Sequence, residues 1–252
     1  MQTPTPSFTS TPTLPPTLTP TATPTPEPTP SPTSTTTRPE PISFAGTAEV
    51  SLRPSRDNTL YEIASVSLSN GAGNHFFVGN TNRGLLRRAV IAFDIAGSIP
   101  TGATITSVRL ILTMSRTRAG AESIELHRVL ADWGEGTSHA PDVEGEGTYS
   151  TPGDATWVYR FFDMDLWQAL GGDFSPAVSA GAVVDGIGSY TWTSTAQMVA
   201  DVQGWLDDPS SNYGWLLKGN ETTKRTAKRF DSREHPTAAN QPVLAIEFTC
   251  CG

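Results

Sequence analysis

The stretch R-A-V-I-A-F (Arg88–Phe93) decides the class of fold that this sequence predicts. Its short, continuous apolar run favours a strand at the centre of a sheet. The turn residues I-P-T-G (Ile99–Gly102) separate it from V-R-L-I-L-T-M (Val108–Met114). This second run alternates over the length of a long strand, so both stretches indicate strands rather than helices.

Similar short runs recur along the chain, with Gly, Pro, Asn and Ser between them. About ten strands are predicted in all, a spacing typical of an all-β domain with a β-sandwich or jelly-roll architecture. Residues 79–82 are predicted to form a turn. The remaining strands are predicted at 48–52, 65–68, 75–78, 124–129, 157–161, 188–193, 213–217, 227–232 and 243–248.

One amphipathic helix is predicted over residues 194–208. Its start, S-T-A-Q, matches a capping box in which Ser194 is the N-cap and Gln197 reaches back to it. Asp208-Pro209 ends the pattern. We expect the helix to be a core element that lies across the sandwich, with one apolar face formed by Met198, Val199, Val202, Trp205 and Leu206.

The 252 residues divide by composition into two parts. Residues 1–43 are rich in Thr, Pro and Ser, whereas residues 44–252 contain all six Trp and are predicted to form one globular domain. The first part lacks the apolar residues of a core, so we expect an extended, polyproline-II-like stalk. An inert linker and a segment that packs along other subunits of a polymer are the alternatives.

Three kinds of covalent modification are predicted. Dense Ser and Thr with Pro is typical of O-glycosylated stalks, and the candidate acceptors are Thr21, Thr23, Thr25 and Thr29. Asn220-Glu221-Thr222 is an N-glycosylation sequon in a predicted loop. Adjacent cysteines form at most a strained vicinal ring, so an intermolecular disulfide or free thiols are expected at Cys250 and Cys251.

The charge and hydropathy of the chain exclude two classes of partner. A formal net charge of −8 argues against nucleic acid and against an anionic membrane surface. No run of apolar residues is long enough to span a bilayer, so membrane insertion is not expected. No basic or apolar leader follows Met1, and we expect any signal segment to lie upstream of this start.

Six segments resemble, in order, the DNRLRE-type domain: Arg87–Ile95, Ile99–Leu112, His127–Ser138, Val202–Leu206, Tyr213–Gly219 and Lys228–Glu234. The resemblance covers nearly all of residues 44–249 and none of the stalk. It implies a secreted β-sandwich, and related members are classed as carbohydrate-binding modules with alginate among their ligands. The charged motif that names the family occurs here in altered form, as F-D-S-R-E. An extracellular or cell-surface location and a polysaccharide partner, including an acidic one, are therefore expected.

No catalytic motif is present, whether a nucleophile elbow, a zinc-protease helix, a phosphate-binding loop or a dinucleotide fingerprint. The four histidines are scattered, and no pair has the spacing of metal ligands. Carboxylate pairs are too common among 25 acidic residues to indicate glycoside hydrolysis. We therefore expect a protein that is not an enzyme.

Carboxylates are concentrated among glycines in residues 132–147. A flexible loop with several oxygen ligands suits Ca²⁺, which is the one cofactor that the sequence suggests. A solvated acidic loop is the alternative interpretation. The candidate calcium ligands are Asp132, Glu135, Asp142 and Glu144.

The segment Lys224–Glu234 holds five of the 17 basic residues of this acidic protein. If Phe230 faces the core, Arg229 and Arg233 point outward with Asp231 between them. Outward arginines would suit uronic-acid carboxylates, or they would form a cross-strand ion-pair ladder with Glu62 or Asp94. The candidate ligand-binding residues are Lys224, Arg225, Lys228, Arg229 and Arg233, together with Trp133 and Trp167, which are expected to be exposed in turn-rich segments.

The sequence favours a secreted, non-catalytic module for carbohydrate binding or adhesion, carried on a Thr/Pro stalk. The alternative is a structural subunit of an extracellular filament or surface layer, which self-associates through the tail and the C-terminus. An arginine-flanked groove would favour the first function. A tail or strand that pairs with another subunit would favour the second.

Overall fold

The computed structural model describes residues 46–250, so the predicted stalk and Cys251 lie outside the described residues. Within that range the chain forms fifteen strands and one α-helix, which confirms the all-β class with more strands than predicted. The helix α1 covers Ala196–Asp207. The strands are β1 (Thr47–Leu52), β2 (Arg56–Tyr61), β3 (Leu68–Ser69), β4 (His75–Asn80), β5 (Leu86–Ala92), β6 (Thr104–Thr117), β7 (Glu122–Val129), β8 (Thr148–Tyr149), β9 (Tyr159–Phe161), β10 (Asp165–Leu166), β11 (Phe174–Val184), β12 (Gly188–Trp192), β13 (Trp215–Lys218), β14 (Lys228–Asp231) and β15 (Val243–Thr249).

The large antiparallel sheet curls into two layers. In the first layer β6 pairs with β15, β14 and β12, and β1 adds to the outer side of β15. The second layer has the order β2-β5-β13-β7-β11. Strand β4 joins the layers, because residues 75–78 pair with β14 whereas Gly79 and Asn80 pair with β5. Gly79 has a φ of 113°, which glycine adopts without strain, at the point where β4 changes layers.

Two apolar clusters explain why the second layer is buried on both faces. The main core lies between the layers and includes Leu110 of β6 and Ile91 of β5. The neighbouring Val90 points the other way, into a second cluster that residues from the segment 130–173 cover. Because both faces of β5 are buried, its apolar residues run continuously instead of alternating. The tryptophans of the second cluster are Trp133, Trp157 and Trp167.

The helix lies where the sequence predicts it, but its cap differs. Thr195 is the N-cap, and its hydroxyl accepts a hydrogen bond of 3.0 Å from the backbone N–H of Met198. Ser194 instead accepts from the N–H of Val108, and Gln197 donates to Asp201. The buried face contains the predicted Met198, Val202, Trp205 and Leu206. No helix within residues 46–250 is both long and apolar enough to cross a membrane.

The longest strands that the sequence analysis missed are β2 and β11. In β2 the polar Asp57 and Asn58 are buried, which hides the alternation of apolar residues. Strand β11 lies at the edge of its layer, and much of it is exposed. The predicted turn at 79–82 was wrong at its start, since β4 continues to Asn80. The predicted strand at 65–68 overlaps β3 at Leu68 alone.

Candidate functional site

A groove of about 480 Å³ lies beside β14, where β4, β5 and β6 approach it. Its lining includes five arginines and one acidic residue, Glu146. This concentration of positive charge contrasts with the net charge of −8 for the whole chain. We call it the arginine groove, defined by Arg87, Arg116, Arg118, Arg225 and Arg229.

Two of these arginines are direct cross-strand neighbours. Arg229 of β14 pairs with Arg116 of β6, and both line the arginine groove. The register shifts between Arg229 and Phe230, which leaves Ser115 as the extra residue of a β-bulge. Nε of Arg229 donates to the Ser115 hydroxyl at 3.1 Å, so the bulge positions this guanidinium.

Arg229 is a partly buried cation with charges of both signs nearby. Burial lowers the pKa of Arg229; the charges of Asp231 and Glu144 oppose this shift, and that of Arg116 adds to it. Like charges placed directly opposite each other in a sheet destabilise the pair. An anion in the groove would relieve this repulsion.

The other groove arginines have distinct positions. Arg118 is exposed at the end of β6. Arg225 is also exposed, has a φ of 69°, and donates from Nε to Oδ1 of Asn82 at 2.6 Å. Arg87 is buried in the floor, where its guanidinium lies 4.7 Å above the Tyr61 ring and donates to backbone carbonyls. Arg116, Arg118, Arg225 and Arg229 are therefore the cations best placed to meet a ligand.

Lys228 was predicted to contact a ligand; it borders the arginine groove, but its side chain is almost wholly buried. It is 1 % exposed. Its ammonium donates to the carbonyls of Gly120 at 2.7 Å and Asp185 at 3.0 Å. Burial lowers the pKa of Lys228, and the charges of Asp185 and Glu122 oppose this shift. The side chain connects the β6–β7 turn to the β11–β12 turn. Lys224 is exposed but does not line the arginine groove.

Arg233 forms an ion pair, although not with the predicted partners. Its guanidinium binds both carboxylate oxygens of Glu135, at 2.7 and 2.8 Å. It also lies 2.8 Å from Glu234. The predicted partners Glu62 and Asp94 accept backbone hydrogen bonds elsewhere. This arrangement supports the ion-pair interpretation for Arg233.

Acidic groups outnumber the single guanidinium in this ion-pair cluster. Burial raises the pKa of Asp57 well above its ordinary value, and the charges of Glu234 and Glu135 raise it further. Burial and the charge of Glu135 raise the pKa of Glu234 to about 7. Asp231 was expected to point outward between the arginines, but it is fully buried. Strand β14 ends there, so simple alternation does not extend to Arg233.

The two tryptophans predicted to be exposed are both buried. Trp133 is 0 % and Trp167 is 6 % exposed. The indole of Trp133 donates to the Tyr213 carbonyl at 2.8 Å and lies 4.4 Å below the Arg56 guanidinium. The indole of Trp167 donates to the Thr156 carbonyl. Their turn-rich segments cover the outer face of the second layer, so these rings fill its second cluster.

The four carboxylates predicted to bind calcium do not form one cluster, because they have separate partners. Asp132 pairs with Arg56 at 2.8 Å, and Glu135 pairs with Arg233. Glu144 is buried and accepts from Asn70, whereas Asp142 is exposed with a φ of 55°. Within residues 46–250, the group of three acidic, His or Cys donors close enough to share a metal ion is His75, Asp231 and His235.

The predicted modification sites have mixed positions. Asn220 lies in the predicted loop, where its amide nitrogen donates to Glu122 at 3.0 Å. Cys250 is partly buried and forms no disulfide among the described residues. The four stalk threonines and Cys251 lie outside the described residues. N-glycosylation, O-glycosylation and intermolecular disulfide formation stay predictions.

A scan against protein-family models finds no match, and a search of curated proteins finds no similar sequence. The resemblance to the DNRLRE-type domain therefore stays a prediction.

Sequence reasoning found part of the arginine groove. It identified Arg225, Lys228 and Arg229 but missed Arg87, Arg116 and Arg118. A signal for Arg116 and Arg118 exists in R-T-R, residues 116–118, because alternate residues at the end of a strand point to the same side. What the sequence does not show is that this end of β6 pairs with β14.

Proposed function

We propose that the domain is a non-catalytic, extracellular module that binds an acidic polysaccharide in the arginine groove. The observation that carries this proposal is the direct opposition of Arg116 and Arg229 in the lining of one open groove. A sheet gains nothing from two like charges in register. A bound polyanion would give both arginines a favourable electrostatic partner.

The chemistry of the groove favours carboxylates. Guanidinium groups bind carboxylates in a bidentate, planar arrangement that lysine does not reproduce. Arg118 and Arg225 add two further cations to the lining of the same groove. Because the chain as a whole is acidic, long-range attraction does not bring polyanions to it. Retention on an acidic polysaccharide would therefore report this local site.

Affinity electrophoresis of the full chain through native gels with and without sodium alginate tests the proposal. We expect retardation of the wild type, and Arg116→Ala or Arg229→Ala should weaken binding roughly 10- to 150-fold, since a hydrogen bond to a charged group contributes roughly 1.5–3 kcal/mol. Arg109→Ala is the matched control, because Arg109 is on the same strand but pairs with Glu49 and Glu247. It should bind like the wild type.

Two results would contradict the proposal. One is the absence of retardation on alginate and on other acidic polysaccharides. The other is retardation that survives in both groove variants. Equal retardation on a neutral polysaccharide would assign binding to a surface other than the arginine groove.

The filament alternative depends on the tail and the C-terminus, of which the tail and Cys251 lie outside the described residues. It stays a prediction. Negative-stain microscopy of the full chain at high concentration tests it. Filaments or sheets would support it, and monomers alone would reject it.

A further inference from the structure

Two histidines that are far apart in sequence meet on one carboxylate. His75 of β4 pairs in register with Asp231 at the end of β14, and His235 follows four residues later. Nε2 of His75 lies 3.6 Å from Oδ1 of Asp231, and Nε2 of His235 lies 3.7 Å from Oδ2. The ring centroids of the two histidines are 5.6 Å apart.

The carboxylate of Asp231 lacks the partners that a buried anion requires. It is 0 % exposed, and neither of its oxygens accepts a hydrogen bond from the described residues. Burying an ionised carboxylate without compensation is costly, so such groups are normally paired or bound to metal. The Nε2 atoms of His75 and His235 both lie within 3.7 Å of this carboxylate.

The separations suit a shared metal ion better than direct hydrogen bonds. Hydrogen bonds to imidazole nitrogen would be about 2.7–3.2 Å long, and the two observed separations exceed that range. Two ligands that are each about 2.0–2.1 Å from a tetrahedral zinc ion lie about 3.4 Å from one another. The three donor atoms all lie within 4.8 Å of one another.

The second nitrogen of each imidazole also lies near polar groups. Nδ1 of His75 lies 3.3 Å from Oε1 of Glu144. Nδ1 of His235 lies 3.4 Å from the Thr237 carbonyl and 3.2 Å from the Thr237 backbone N–H. A histidine that binds metal through Nε2 usually donates its other N–H to a carboxylate or a carbonyl, and Glu144 is placed to accept from His75 in this way.

The position of Glu144 strengthens this reading. Oε2 of Glu144 accepts from Asn70 at 2.8 Å and from the backbone N–H of His75 at 2.9 Å, so the carboxylate is held in place.

We propose that His75, Asp231 and His235 bind a zinc ion, through both Nε2 atoms and the carboxylate. Two imidazoles and one carboxylate match zinc rather than calcium, which takes oxygen ligands. Three protein ligands leave a fourth position for water. The ion would fasten the segment after β14 to strands β4 and β14. This site does not include the arginine groove and does not depend on the proposed function.

Isothermal titration of the metal-free full chain with zinc chloride tests the proposal. The test uses a Cys250→Ser, Cys251→Ser background, so that thiols do not contribute. We expect one zinc ion per chain, and His235→Ala or His75→Ala should weaken binding at least about 100-fold. Co²⁺ in place of zinc should give the intense visible absorption of a tetrahedral site, and His235→Ala should remove it.

His139→Ala is the matched control. His139 is 54 % exposed and has a ring nitrogen 3.9 Å from Glu144, but it is not one of the three donors. It should bind zinc like the parent chain. Circular dichroism confirms that each variant is folded. The proposal is wrong if zinc does not bind, if His235→Ala and His75→Ala both bind normally, or if His139→Ala loses binding to the same extent.

Discussion

Arg229 lies directly opposite Arg116 in the pairing of β14 with β6, and the bulge at Ser115 holds the two in that position. Such opposition has a cost that ordinary packing does not recover. The fold compensates part of it with Asp231 and Glu144, whose charges act against the lowered pKa of Arg229. A bound anion would relieve the repulsion that remains between the two arginines.

Replacing one of the opposed arginines should stabilise the unliganded domain. Arg116→Thr removes the repulsion and keeps a residue that suits a strand, so we expect the free energy of unfolding to rise by roughly 0.2–1 kcal/mol at low salt. Denaturant unfolding measures it, and the gain should shrink at high salt. Arg109→Thr, which loses Glu49 and Glu247 as partners, should give no gain. A loss of stability in Arg116→Thr would contradict the repulsion.

Removing the ammonium of Lys228 should destabilise the domain. Lys228→Met leaves the carbonyls of Gly120 and Asp185 without their donor, which should cost roughly 1–3 kcal/mol in denaturant unfolding. Lys224→Met is the control, because Lys224 is exposed, and it should stay within about 0.5 kcal/mol of the wild type. If both variants behave alike, Lys228 does not stabilise the turns.

Arg233 should matter for stability and not for polysaccharide binding. Arg233→Lys loses the bidentate geometry to Glu135, and because Arg233 is partly exposed we expect a cost of about 1 kcal/mol. Retardation on alginate should be unchanged, since Arg233 does not line the arginine groove. Normal stability with lost retardation would instead make Arg233 a ligand-binding residue.

The stability of the domain should depend on the ionisation of Asp57. Its folded pKa is raised above the ordinary value of 3.8, so its stabilising contribution is full below pH 3.8 and is lost as the pH rises through the folded pKa. Asp57→Asn does not ionise, and its free energy of unfolding should fall less between about pH 4 and about pH 7. Parallel pH profiles for the two proteins, measured by denaturant unfolding, would show that the buried carboxyl is not the cause.

The class of fold was predictable because strand patterns are local. The continuous run of β5 and the alternation of β6 need no knowledge of the remaining chain. Trp133 shows where local reasoning stops. Its turn-rich surroundings suggest exposure, yet the segment folds back over the second layer. The residues near Trp133 in sequence do not indicate that contact.

The sites were less predictable because they depend on register between distant strands. Composition singled out Lys224–Glu234 as unusual, but it did not separate Lys228, whose side chain is almost wholly buried, from Arg229, which is only partly buried in the groove lining. His75 and His235 appear unrelated in sequence. They approach each other because β14 pairs with β4, which places Asp231 beside His75.

Strand β14 has four residues with four different environments. Lys228 connects two turns, Arg229 lines the groove, Phe230 is buried in the core, and Asp231 faces two histidines. A slip of one residue would exchange the faces of all four. Any substitution here that improves one environment must also satisfy its neighbours. We therefore expect this strand to be the part of the domain where evolution has the least freedom to vary the sequence.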